Sequence, residues 1–97
     1  MAFICDPKKN KENFECHGIF LSDAEPVFND PFRVTRRDDD SSVTEERYQT
    51  IGMAGKVLFV VYTEEGPEDT RLISARIAEP KERRVYYERT GRQYGWE

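Results

Sequence analysis

The sequence of 97 residues lacks the marks of a membrane or secreted protein. Its longest apolar run, Val57–Tyr62, is far shorter than the roughly 20 residues that span a bilayer, and no basic segment followed by an apolar run stands at its start. Cys5 and Cys16 are too few for the disulfide framework of a small secreted domain and lack Cys-x-x-Cys spacing. We therefore expect a cytoplasmic protein without membrane contact, folded as one domain over residues 1–97.

Short motifs of several enzyme classes are also absent. The sequence has no Gly-x-x-x-x-Gly-Lys or Gly-x-Gly-x-x-Gly phosphate loop, no Gly-x-Ser-x-Gly elbow and no His-Glu-x-x-His zinc motif. Nucleotide-dependent, esterase and zinc-protease activities therefore have no residues to support them.

Acidic residues form one cluster that has the composition of a Mg²⁺ site, Asp38–Asp40 with Glu45 and Glu46. Consecutive side chains point in different directions, and three aspartates beside serines are typical of a solvated loop. No histidine or cysteine joins them. We predict that the protein uses no metal ion and no cofactor.

Basic residues are unevenly distributed, although the net charge of −4 opposes simple electrostatic binding of nucleic acid. Between residues 71 and 92 three glutamates stand against seven basic residues: Arg71, Arg76, Lys81, Arg83, Arg84, Arg89 and Arg92. A basic C-terminal region on an acidic body is able to hold a short stretch of RNA.

The first half of the chain predicts a strand, two helices and a loop. Ala2–Cys5 has the pattern of an edge strand, and Asp6-Pro7 is typical of a helix start, with Gly18 as the stop after His17. A capping box at Ser22–Glu25 predicts a second short helix ending at Asn29. The polar run Arg36–Thr44 predicts an exposed loop.

The second half predicts three strands and a helix. Glu46–Gly52, Val57–Thr63 and Thr70–Ala78 are separated by short connections that suit antiparallel hairpins. The second of these strands is apolar on both faces at its start and should be central. Pro80 opens a last helix, Lys81–Thr90, and residues 92–97 form a loose tail. The pattern indicates an α+β fold in which about four antiparallel strands are packed by two N-terminal helices and one C-terminal helix.

Several motifs together resemble the BrnT family of ribonuclease toxins in their order and spacing. They are Asp6-Pro-Lys-Lys9, Asn13, His17-Gly18, Ala24, Val27-Phe28-Asn-Asp30, Glu46-Arg47-Tyr48, Ile51-Gly52, Ile73-Ser74-Ala75-Arg76, Ala78 and Glu82-Arg83 with Tyr86. The sequence departs from the family at Cys5, where an aromatic residue is usual, and at Cys16, where a basic residue is usual.

The resemblance implies a RelE-like α+β fold and a ribonuclease that cleaves messenger RNA and halts translation. It also implies neutralisation by a ribbon-helix-helix antitoxin of the BrnA kind, in a complex that contacts promoter DNA only through the antitoxin. A toxin dimer, or a heterotetramer with the antitoxin, is compatible with it.

Metal-free RNA cleavage needs a base for the ribose 2′-OH, cations for the phosphorane and an acid for the departing 5′-oxygen. His17 is the only histidine, and histidine is the side chain most often used to give or take a proton in catalysis, although a histidine before glycine also stabilises a helix C-terminus. Lys9 lies on the same helix stripe, either facing substrate or solvated. Tyr86 and Tyr87 are candidates for base stacking or proton donation, with one of them expected in the core.

Arg76 and Arg83 are the candidate phosphate ligands, because the short connection between their elements is able to bring both guanidinium groups to one phosphate. The alternative for Arg76 is a structural salt bridge to Glu46 or Glu82, and Arg47 has the same ambiguity. The predicted catalytic residues are Lys9, His17, Arg47, Arg76, Arg83 and Tyr86, and the predicted additional RNA contacts are Arg84 and Tyr87.

A second function remains open for the same fold. The acidic balance and the missing basic residue at Cys16 favour a non-catalytic binding module that acts only within a toxin–antitoxin autorepressor complex. RNA cleavage by the free protein distinguishes the two.

Overall fold

The computed structural model describes residues 2–38 and 46–90. Within these ranges the chain forms a five-stranded mixed sheet, two α-helices and one 3₁₀ helix, so the predicted α+β class is confirmed. In chain order the elements are β1 Ala2–Ile4, α1 Pro7–His17, the 3₁₀ helix Leu21–Asn29, β2 Val34–Arg37, β3 Tyr48–Ala54, β4 Lys56–Glu65, β5 Asp69–Ile77 and α2 Pro80–Thr90. No helix in the described part of the chain is both long and apolar enough to cross a membrane.

The sheet has the strand order β1-β5-β4-β3-β2, which places β4 at the centre as predicted. The prediction of about four antiparallel strands was wrong in two respects. β1 pairs with β5 in parallel, and Arg36 lies in the extra strand β2 rather than in a loop, opposite Gln49 of β3. β2 is an exposed edge strand, so its polar residues do not show the alternation by which a strand is recognised.

Helix α1 begins and ends where the sequence predicted. Asp6 accepts a hydrogen bond from the Lys8 N–H at 2.9 Å, and Gly18 closes the helix with a left-handed φ of 73°. The buried Asn13 docks this helix on the sheet. Its amide donates to the Ala75 carbonyl at 2.8 Å and accepts from the Ala75 N–H at 3.1 Å, so it occupies the edge of β5 beyond the end of β1.

The capping box predicted at Ser22 is absent. The 3₁₀ helix begins at Leu21 after Phe20, which makes no side-chain capping bond. The Ser22 hydroxyl and N–H are instead engaged with the side chain of Asn10 in α1. A partner in another helix has therefore replaced the local cap.

The two faces of the sheet are covered unequally. One face packs against α1 and the 3₁₀ helix, and Gly52 permits this contact because a Cβ there would stand 2.7 Å from Val27 Cγ1. The buried core on this face consists of Leu21, Ala24, Val27, Leu58, Val60, Tyr62, Leu72 and Ala75. On the other face α2 covers only one end, where Tyr86 packs against Val57 and Ala78. The rest of that face lies open and is called the open face below.

Candidate functional site

Residues that lie opposite one another on neighbouring strands form rows across the open face. Each of three successive rows contains or adjoins one arginine. Arg76 of β5 is opposite Phe59 of β4. Two rows further along the same pair of strands, Arg71 of β5 is opposite Thr63 of β4. Arg36 is joined to the row between them through its β3 partner Gln49. Opposed residues point to the same face, and rows two residues apart are separated by about 7 Å along a strand. The open face therefore presents guanidinium groups on two of its strands: Arg71 and Arg76 lie on β5, and Arg36 lies on β2, with β4 and β3 between them. Arg71 is also paired with Glu65.

A cleft of about 490 Å³ occupies the middle of the open face, beside α2. Half-buried apolar side chains form its floor, and charged side chains surround them. It is lined by Val34, Arg36, Gln49, Ile51, Phe59, Arg76, Glu79, Lys81, Glu82 and Val85. An apolar floor with arginines around it suits a ligand that has both flat rings and negative charge.

Arg76 is held in this cleft by a two-pronged ion pair. Its Nη1 and Nη2 donate to the two carboxylate oxygens of Glu82 at 2.9 and 2.8 Å, and its guanidinium carbon stands 4.3 Å from the centre of the Phe59 ring. Burial of Glu82 opposes its ionisation, but the bonds from Arg76 and from the Glu79 N–H outweigh this, so the pKa of Glu82 lies below its ordinary value. The salt-bridge alternative for Arg76 is thus realised, with Glu82 as the partner.

A smaller cleft of about 250 Å³ lies towards the β1 edge of the sheet. It brings together Lys9 and Arg47, two of the predicted catalytic residues, and adds Arg71, which sequence reasoning counted only as part of a basic region. The remaining lining residues are Ile4, Asp6, Leu72 and Ile73. Arg71 was missed because its place beside Arg47 depends on strand pairing, which the linear sequence does not display.

His17 lies next to this cleft. It is exposed at the end of α1, and it lines a shallow groove with Lys9, Cys16 and Ile73. The stripe predicted for Lys9 and His17 therefore forms one surface, and Lys9 and Ile73 also line the cleft that contains Arg47. His17 is also the basic residue in the last turn of α1, so its helix-stabilising role is available at the same time.

The remaining predicted residues lie on α2 and do not line the cleft that contains Arg76. Arg83 donates to the Ala78 carbonyl at 2.8 Å, so the structure does not bring it together with Arg76. Arg84 is exposed on the helix surface, and Tyr87 is half-buried against Tyr86. The C-terminal basic region is thus dispersed over several surfaces.

Tyr86 is 4% exposed and donates its hydroxyl to Asp30 Oδ2 at 2.6 Å. The same carboxylate accepts from the Met53 N–H at 2.8 Å and the Phe32 N–H at 2.9 Å. Burial opposes ionisation of Asp30, but these bonds and nearby Arg33 hold its pKa below the ordinary value. Asp30 therefore joins the end of the 3₁₀ helix to β3 and α2, and this placement favours an anchoring role for Tyr86 over proton donation.

The acidic cluster considered as a metal site falls mostly outside the described residues, which include Asp38 and Glu46 but not Asp39, Asp40 or Glu45. Asp38 is buried, and its N–H donates to the Arg47 carbonyl at 2.8 Å. Residues 2–38 and 46–90 contain no group of three potential metal ligands.

Comparisons with known proteins agree with this architecture. A family model described as the ribonuclease toxin BrnT of type II toxin–antitoxin systems matches residues 5–82. The structure is similar to the 1.1 Å crystal structure of the Brucella abortus ribonuclease toxin BrnT, with a TM-score of 0.62 and 23% identity over 81% of this chain and 97% of that chain. At this identity the likeness concerns the fold. No curated protein sequence gives a significant match.

Proposed function

Because the chain belongs to the BrnT family of ribonuclease toxins of type II toxin–antitoxin systems, we propose that it cleaves messenger RNA without a metal ion and thereby inhibits translation. The observation that carries the proposal is the presence of Arg36, Arg71 and Arg76 on the open face, where the Arg76 guanidinium lies over the half-buried Phe59 ring. Guanidinium groups bind phosphates, and an aromatic ring offers a stacking surface for a base. In a protein of net charge −4 these three cations lie on a surface that RNA is able to reach, with Arg71 and Arg76 paired there with Glu65 and Glu82.

We assign a different part of the reaction to each of the two clefts. Arg76 stabilises the negative charge that develops on the phosphorane, and Lys9 and Arg47 hold an adjoining phosphate. His17 transfers a proton, because an imidazole ring has one nitrogen that accepts a proton and one that donates it, and the residue is exposed beside Lys9. The ribose 2′-oxygen loses its proton to His17 and attacks phosphorus, and the bond from phosphorus to the 5′-oxygen breaks. The 5′-oxygen leaves as a hydroxyl with the proton returned by His17, and a 2′,3′-cyclic phosphate remains.

The residues of α2 have secondary roles. Arg84 and Tyr87 are further RNA contacts at the side of the helix. Arg83 and Tyr86 anchor the helix through Ala78 and Asp30, and their influence on cleavage is indirect.

The proposed partner is a ribbon-helix-helix antitoxin of the BrnA kind. It neutralises the toxin in the cytoplasm, and it alone contacts the promoter DNA of the operon. The proposed assembly is a toxin dimer or a heterotetramer with the antitoxin. The support for this partner is membership of a type II toxin–antitoxin family.

Induction of this protein alone is expected to stop bacterial growth by blocking translation, and co-expression of the antitoxin is expected to restore growth. The measurement is optical density together with the integrity of cellular RNA. Purified protein, stripped of its partner under denaturing conditions and refolded, should cleave an RNA oligonucleotide. Unchanged growth and intact RNA, with folded soluble protein present, would favour the non-catalytic binding module.

Cleavage by the purified protein is expected to survive EDTA, since the described residues hold no cluster of metal ligands. The initial rate in an excess of chelator should equal the rate without it. Loss of cleavage in EDTA and its recovery with Mg²⁺ would return the acidic residues Asp38–Asp40 to consideration and remove the arginine mechanism.

A further inference from the structure

The ion pair between Glu82 and Arg76 differs from most surface ion pairs in its burial and in its hydrogen-bond geometry. Its side chain is only 12% exposed, whereas that of Arg76 is 32% exposed. Both carboxylate oxygens are engaged with the guanidinium, and Oε1 also accepts from the Glu79 N–H at 2.7 Å. A carboxylate fixed by a backbone N–H at the start of a helix has little freedom to move.

The guanidinium of Arg76 is consequently restrained by several neighbours, which include the Ile77 carbonyl at 3.3 Å from Nη1 and the Glu79 carboxylate at 4.0 Å from Nη2. Glu82 occupies the end formed by Nη1 and Nη2, and the Phe59 ring covers one flat face. In the part of the chain that the structure describes, the Nε–H of Arg76 has no hydrogen-bond partner. The Nε–H therefore remains for a ligand in the cleft, and an arginine is able to donate from this group to phosphate oxygens.

We infer that Glu82 is a positioning residue for the reaction, which orients Arg76 so that its Nε edge meets the phosphate in the transition state. This inference rests on the proposed ribonuclease activity. Glu82 does not touch RNA itself, since its two oxygens are taken by Arg76 and Glu79. Its negative charge weakens the attraction of the site for RNA, so its benefit lies in geometry.

The test uses Glu82→Gln, because glutamine keeps an acceptor for the Glu79 N–H while it removes the charge and one prong of the pair. The expected kcat for cleavage of an RNA oligonucleotide is about tenfold lower, since small displacements of a catalytic group have large effects on rate. The expected KM stays within about twofold of wild type. Rates are measured at a temperature at which circular dichroism shows both proteins fully folded, with Glu88→Gln on the same helix as the matched control.

Coupling with Arg76 separates positioning from a merely structural role. In an Arg76→Ala background, Glu82→Gln should slow cleavage by no more than about twofold, because there is no guanidinium left to orient. A direct readout is the ¹⁵N signal of the Arg76 Nε–H, whose motion should increase in folded Glu82→Gln.

Each outcome decides the matter. A folded Glu82→Gln protein with wild-type kcat would overturn the inference, whether or not the Nε signal changes, and so would an equal tenfold loss in the Arg76→Ala background. If the wild-type protein itself fails to cleave any RNA tested, the proposed function fails, and the positioning role fails with it.

Discussion

Replacement of Arg76 by alanine is expected to reduce kcat for RNA cleavage at least about a hundredfold, the range observed when one preorganised transition-state donor is removed. The guanidinium is held by Glu82 and Phe59 before substrate arrives, so it need not reorganise during the reaction. Single-turnover cleavage of an RNA oligonucleotide measures the effect. Lys11→Ala, which removes one positive charge from the exposed surface of α1, is the control for net charge.

The same substitution also tests the structural alternative. Arg76 is 32% exposed and Glu82 keeps its bond from the Glu79 N–H, so we expect a loss of about 1–2 kcal/mol in the free energy of unfolding, less than for a fully buried pair. Thermal melts beside the cleavage rates separate the two effects. Rates that fall only in step with the unfolded fraction would show that Arg76 stabilises the fold, and the site would then be sought around Lys9, His17 and Arg47.

Replacement of Asp30 by alanine is expected to be the most destabilising of the changes proposed. It removes three hydrogen bonds to one carboxylate, from Met53, from Phe32 and from the hydroxyl of the buried Tyr86. We expect a loss of about 3 kcal/mol in the free energy of unfolding, which lowers Tm by roughly 12–24 °C for a domain of this size. Differential scanning calorimetry measures the shift.

Two comparisons make this prediction specific. Tyr86→Phe loses only one of the three bonds, so a loss of about 1 kcal/mol in the free energy of unfolding is expected, with kcat retained if Tyr86 anchors α2. A large fall in kcat in a stable Tyr86→Phe protein would return the residue to the mechanism.

Because the folded pKa of Asp30 lies below its ordinary value of 3.8, the contribution of Asp30 to stability is present above that value and is lost as pH falls through the folded pKa. The stability gap between wild type and Asp30→Asn should therefore narrow below about pH 4, and a gap that persists in acid would contradict the carboxylate's role.

Local signals in the sequence predicted the elements that are fixed by neighbouring residues. Asp6 and Gly18 delimit α1 because capping depends on the residue itself and on its own backbone. The apolar strand β4 is central because a strand without a polar face must be covered on both sides or lie within a sheet. The exception at Ser22 has a tertiary cause, since Asn10 of another helix takes the groups that a capping box would use.

The candidate site was predicted less completely than the fold. Arg76 was found together with its alternative partner Glu82, because the two are six residues apart on adjoining elements. Arg36 was assigned to a loop and Arg71 to no site, although both lie on the open face. The contribution of these two arginines to the site depends on which strands lie next to each other in the sheet, and no local sequence pattern indicates this.

The sequence by itself determined the family, the α+β class, the limits of α1 and the approximate positions of three strands, because motifs, caps and hydrophobic alternation act over a few residues. Only the tertiary structure decided that β1 joins β5 in parallel, that Asn13 closes the edge of β5, and that Arg83 turns to Ala78 rather than to the cleft of Arg76. These features arise from pairings between residues distant in the chain, where packing and the satisfaction of buried hydrogen bonds select one partner among several that local chemistry allows.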